Sequence, residues 1–103
     1  MLLMSLMAAL AVAQPASGAP TPTPTPSATA TQVQPRELRL TFDGRTWSCD
    51  TTGLCGASGP GTSQPILREC RRLVARVGAV SAFSRDDVAL DAAQLALCNA
   101  SAR

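Results

Sequence analysis

The sequence predicts a small α+β domain stapled by disulfides: an N-terminal β-hairpin and two helices, with a second short hairpin between the helices. The element order is ββαββα if the stretch between the helices forms two strands, and ββαβα if it forms one. Three observations carry this. An alternating apolar pattern runs into and out of Asp43-Gly44. Apolar residues then recur at helical spacing after Pro65. All four cysteines, Cys49, Cys55, Cys70 and Cys98, lie within this part of the chain.

The first hairpin has the clearest signal. Leu38, Leu40 and Phe42 alternate with Arg39 and Thr41, which is strand period. Asp43-Gly44 is a two-residue turn that tolerates positive φ. The register of such a turn pairs Phe42 with Arg45, Leu40 with Trp47 and Leu38 with Cys49. Trp47 and Cys49 therefore share a face with the leucines. Residues 50–63 are dense in Gly and turn formers and read as a loop.

Residues 64–77 read as the first helix, with Pro65 at its first position. Ile66, Cys70, Leu73, Val74 and Val77 share its apolar face, and Gly78 stops it. Residues 79–83 and 88–90 read as the second hairpin, with a turn at 84–87. The second helix begins after Asp91, which caps it. Gln94 sits at the capping-box position and Leu90 can staple onto Leu95. Cys98 lies one turn beyond Leu95, on a compatible face.

Upstream, residues 1–13 read as a signal peptide. The run from Leu2 to Val12 is apolar apart from Ser5, too short for a bilayer span and suited to a signal-peptide centre. Ala11-Val12-Ala13 is a small-x-small cleavage pattern, although no basic residue precedes the run. No cysteine follows closely enough for lipid attachment. Residues 14–35 are uncharged, with Pro alternating with Thr from Pro20 to Pro26. They read as a disordered or polyproline-II linker. The folded domain is expected over residues 36–103, and the protein in the periplasm or secreted, with no transmembrane helix.

A domain this small buries a low fraction of its surface, so disulfides are an expected stabiliser. Four cysteines allow three pairings. The helix faces favour Cys70 with Cys98, leaving Cys49 to meet Cys55. Cys49–Cys70 with Cys55–Cys98 is the main alternative. The five, fourteen and twenty-seven residues between successive cysteines suit neither a zinc site nor a C-x-x-C redox motif.

The sequence has 103 residues, a net charge of +2 and no His. Without His the commonest general base is missing. Asp43 belongs to its turn and Asp91 to its cap. Asp86, Asp87 and Asp91 lack calcium-loop spacing. Ser58 and Ser63 have no His partner, and Gly56, Gly59 and Gly61 are not followed by the Lys of a phosphate loop. No catalytic residue, metal ligand or cofactor site is expected. Arg68, Arg71, Arg72 and Arg76 are the candidate site: on one helix face they could bind phosphates of lipid or lipopolysaccharide. The competing reading is a solvated face, partly neutralised by Glu69 three residues before Arg72.

Trp47-Ser48-Cys49, Cys55, Gln64-Pro65, Arg68-Glu69-Cys70-Arg71, Gly78, Val80, Phe83-Ser84, Leu90-Asp91 and Leu97-Cys98-Asn99-Ala100 together form a pattern. By it the chain resembles a locus-tag-named family of small exported alphaproteobacterial proteins of unknown function. That family's pattern has Gly where this chain has Asp87. The resemblance implies no activity or ligand. The expected function is a non-enzymatic exported module, structural or interacting with an envelope or extracellular partner. The alternative is binding of anions or lipid headgroups through the arginine helix. No nucleic-acid partner is expected.

Overall fold

The computed structural model describes residues 26–103. The expected signal peptide and most of the expected linker lie outside the described residues. Eight elements follow in order: β1 (Ala28–Gln32), β2 (Leu38–Phe42), β3 (Arg45–Cys49), β4 (Leu54–Ser58), α1 (Ile66–Val77), β5 (Val80–Arg85), β6 (Val88–Ala89) and α2 (Ala92–Asn99). The expected elements are present, in the ββαββα order, and two strands are added. The strands form one antiparallel sheet in the order β2-β3-β4-β1-β5-β6. Both helices pack on one face of it. No helix among the described residues is long and apolar enough to cross a membrane.

The first hairpin has the register expected of its turn: Phe42 opposite Arg45, Leu40 opposite Trp47, Leu38 opposite Cys49. Asp43 and Gly44 both adopt positive φ, 51° and 76°. The second hairpin turns in the same way at Asp86 (φ 51°) and Asp87 (φ 67°). Two Asp side chains thus occupy the left-handed region, where Gly is more usual.

Two expectations about the strands are corrected. Residues 28–32 do not belong to a linker; they form β1, which pairs with β4 on one side and β5 on the other. The strand alternates Ala with Thr, and Ala28 and Ala30 are buried while Thr29 is exposed. The next residues are tied down as well. The buried Gln32 donates from Nε2 to the Val77 carbonyl and accepts at Oε1 from the Arg36 N–H. The second correction concerns residues 50–63, which are not all loop. Leu54–Ser58 is β4, joined to β3 by a short turn that Asp50 organises by accepting from the Thr52 and Leu54 N–H groups. The Thr52 hydroxyl beside Asp50 holds that carboxyl below its usual range.

The small residues of β1 and β4 have a packing role. Trp47 on β3 and Phe83 on β5 stand three strand spacings apart, about 14 Å. Their ring centroids nevertheless approach to 6.1 Å. The rings lean together over a floor of Ala28, Ala30 and Ala57, all at most 3% exposed. Leu73, Val74 and Val77 of α1 close the core from above.

The disulfides are Cys49–Cys55, across β3 and β4, and Cys70–Cys98, between the two helices. Each reflects side-chain direction: Cys49 and Cys55 are register partners, and Cys70 and Cys98 are fully buried on facing helices. The capping box of α2 forms as expected, with Asp91 accepting from the Gln94 N–H and Gln94 from the Asp91 N–H. Asn99 then latches α2 to the sheet by exchanging two hydrogen bonds with the Val80 backbone. The first helix starts at Ile66, so Pro65 is its N-cap residue rather than its first helical one.

Candidate anion-binding surface

The arginines of α1 do not act as one uniform face. Arg72 reaches the β2–β3 turn, where its Nε and Nη2 both donate to the Asp43 carboxylate. This paired contact holds the Asp43 carboxyl below its usual range and raises Arg72 above its own. Arg76 lies over the Phe42 ring with its guanidinium carbon 4.3 Å from the centroid, a cation–π contact. Its backbone carbonyl accepts from Arg36 Nη2. Arg68 and Arg71 are exposed and form no ion pair among the described residues.

Three of the four arginines meet around a depression. Arg71, Arg72 and Arg76 line a shallow cavity of about 430 Å³ together with Ala75, Ser101 and Arg103. Arg68 is not part of it. A second depression of about 480 Å³ adjoins it and is lined in part by Arg36, Arg76 and Arg103. No carboxylate side chain lines either one. The sequence pattern on α1 found three of the five arginines on this surface, Arg71, Arg72 and Arg76. Arg36 and Arg103 join it only because α1, the approach to β2 and the chain after α2 meet at one end of the fold.

Glu69 is absent from this surface. It had been expected to soften the arginine face beside Arg72. It is instead 2% exposed and turned into the protein. One oxygen accepts from Arg45 Nε and the other from Arg85 Nη1, at 3.1 Å. Arg45 Nη1 also donates to the Gly59 carbonyl at 3.0 Å, and Arg85 Nη1 to the Gln64 carbonyl. The cluster joins β3, α1, β5 and the segment entering α1. Gly61 lets that segment pass close over Arg45, since a Cβ there would lie 2.7 Å from the Arg45 guanidinium carbon. A signal for Arg45 was present in the sequence: it shares strand parity with Trp47 and Cys49, so it had to point inward.

The polar groups of the described domain are thus largely engaged by its own structure. Glu69 is held by two arginines, Asp43 by Arg72, Asp50 by its turn and Asp91 by its cap. All four cysteines are disulfide-bonded.

What fold and surface define is a small disulfide-stapled α+β domain with an arginine-lined end. The chain belongs to a family of unknown function, DUF8200, whose model matches residues 4–100. Comparison with curated proteins and with solved structures finds no match.

Proposed function

We propose that this is an exported, non-enzymatic interaction module that binds an anionic partner of the cell envelope through its arginine-lined end. The observation that carries the reading is the gathering of Arg71, Arg72, Arg76 and Arg103 around one depression without a lining Asp or Glu side chain. Asp43 neutralises one of these charges and fixes Arg72 in place. Phe42 fixes Arg76. Two oriented guanidinium groups lose little freedom on meeting a carboxylate or phosphate, and both ligands match their planar donor geometry. Export is supported by two disulfides in so small a domain and by the apolar run at residues 2–12.

A lipid headgroup is the second reading, and α2 favours it. That helix carries no charged residue, and its exposed side includes Ala93, Ala96 and Leu97, the last 51% exposed. An apolar strip beside an arginine helix suits the interface of an anionic bilayer.

Co-sedimentation with phosphatidylglycerol vesicles and pull-down from envelope extracts test the two together. Binding in either assay should fall with rising salt and be lost in Arg71→Glu/Arg76→Glu. Retention of all binding by that variant would sink the arginine surface. Recovery of the protein from the cytoplasm with Met1 intact would sink export.

A further inference from the structure

We propose that β2 is a docking edge for an extended acidic protein segment, which joins the sheet as a further strand. This rests on the anionic-partner reading and names the partner's chemistry. β2 stands at one end of the strand order. The two-residue turn makes Phe42 and Arg45 a hydrogen-bonded pair, and such pairs alternate along an antiparallel ladder. Leu38, Leu40 and Phe42 therefore bond toward β3. The N–H and C=O groups of Arg39 and Thr41 point away from it. Outside the β2–β3 ladder, no backbone hydrogen bond joins Arg39 or Thr41 to a described residue.

The strand keeps few of the devices that blunt an edge. It is five residues long, pairs one-to-one with β3, and contains neither bulge nor Pro. Its inward side chains, Leu38, Leu40 and Phe42, are only half-buried and would be covered by an added strand. What guards it is positive charge. Arg36 precedes it and Arg39 lies within it, while Arg72 and Arg76 reach its far end at Asp43 and Phe42, so four arginines stand against two carboxylates, Glu37 and the Arg72-paired Asp43.

That guard selects the occupant. A second copy pairing through β2 would bring two sets of these arginines along one seam. A segment bearing carboxylates turns the same charges into attraction, with backbone bonds supplying affinity and side chains the selection. A lipid surface offers phosphates but no alternating row of donors and acceptors to match the edge.

The test uses the full chain and a short peptide alternating glutamate and valine. A matching peptide with lysine for glutamate and phosphatidylglycerol vesicles serve as comparisons. The glutamate peptide should slow amide exchange at Arg39 and Thr41 by about tenfold or more, and the lysine peptide should not. Thr41→Pro removes an outward-facing donor and leaves the ladder to β3 intact, as Pro on an edge allows. It should weaken peptide binding by about tenfold, equivalent to 1.4 kcal/mol. Equal binding by Thr41→Pro, or unchanged exchange at both amides, overturns the proposal. If Thr41→Pro fails to fold, exchange at the two amides in the unaltered protein decides alone. Vesicle binding without peptide binding overturns the added strand and leaves the arginine surface standing. Binding to neither vesicle, peptide nor envelope extract overturns both.

Discussion

Arg45 and Glu69 are 24 residues apart in sequence and meet in the interior, each side chain 3% exposed. Their contact fixes α1 against the sheet, because Arg45 belongs to β3 and Glu69 to the first turn of the helix. A buried ion pair contributes little beyond a well-packed apolar pair, but removing one partner strands the other's charge.

Glu69→Gln should therefore destabilise the domain by about 3–5 kcal/mol, read as a lower urea midpoint. Arg85, whose side chain is 22% exposed, can keep its charge partly solvated. Arg85→Met should cost clearly less than Glu69→Gln. Arg45→Met/Glu69→Leu should also cost less than Glu69→Gln, because it removes both ends of the buried pair. Equal losses in all three would show that the cluster contributes packing and not charge compensation.

Gly61 is tied to the same cluster. Both Gly61 (φ 69°) and Gly78 (φ 92°) sit where L side chains are strained, but a Cβ at Gly78 has nothing within 4 Å. Gly78→Ala should cost about 1 kcal/mol for its backbone alone. Gly61→Ala must in addition displace a guanidinium pinned by Glu69 and Gly59, and should cost about 2–3 kcal/mol. Thermal melts of the two variants side by side test this ordering.

The Asp43–Arg72 pair makes stability depend on pH in acid. The Asp43 carboxyl is held below its usual range, chiefly by its hydrogen bond to Arg72. A carboxyl depressed on folding contributes in full above its unfolded value. The contribution is lost as pH falls through the lower folded value. Asp43→Asn should flatten the fall in melting temperature below about pH 4. Asn suits the positive φ at this turn, so the charge is removed with little strain. An unchanged acid profile would assign the fall to other carboxylates.

The two disulfides should contribute unequally. Cys70–Cys98 closes a separation of 28 residues and Cys49–Cys55 one of 6. The chain-entropy relation gives about 3–4 kcal/mol for the first and about 2 kcal/mol for the second. Cys70→Ala/Cys98→Ala should accordingly lower the urea midpoint more than Cys49→Ala/Cys55→Ala. The reverse order would mean that the β3–β4 turn forms poorly without its cross-strand link.

Local chemistry made much of this fold legible. Asp43-Gly44 set the register of β2 and β3 without help from the rest of the chain. Asp91 and Gln94 marked the start of α2, and the spacing of Cys70, Leu73, Val74 and Val77 marked the buried side of α1. β1 and β4 are no shorter than β2 and β3; they were missed because their inward positions are small. Ala28, Ala30 and Ala57 carry no strong hydrophobic signal. They are buried because Trp47 and Phe83 lean over them, a relation across the sheet that no local window contains. β1 also follows directly on a Pro-Thr tract whose composition masked its alternation. At the candidate site, helical spacing brought out Arg71, Arg72 and Arg76. The inward turn of Glu69 and the arrival of Arg36 and Arg103 depend on tertiary approach.

β1 is the first element among the described residues, and it is hydrogen-bonded along both flanks. A pull transmitted from upstream along the strand axis would load both ladders in shear, many bonds at once, instead of opening them one by one. A fragment beginning at Arg36 would lose that grip and leave β2-β3-β4 and β5-β6 as separate sheets with open facing edges. The short Ala-Thr strand thus joins the two halves of the sheet, β2-β3-β4 and β5-β6, along both of its flanks.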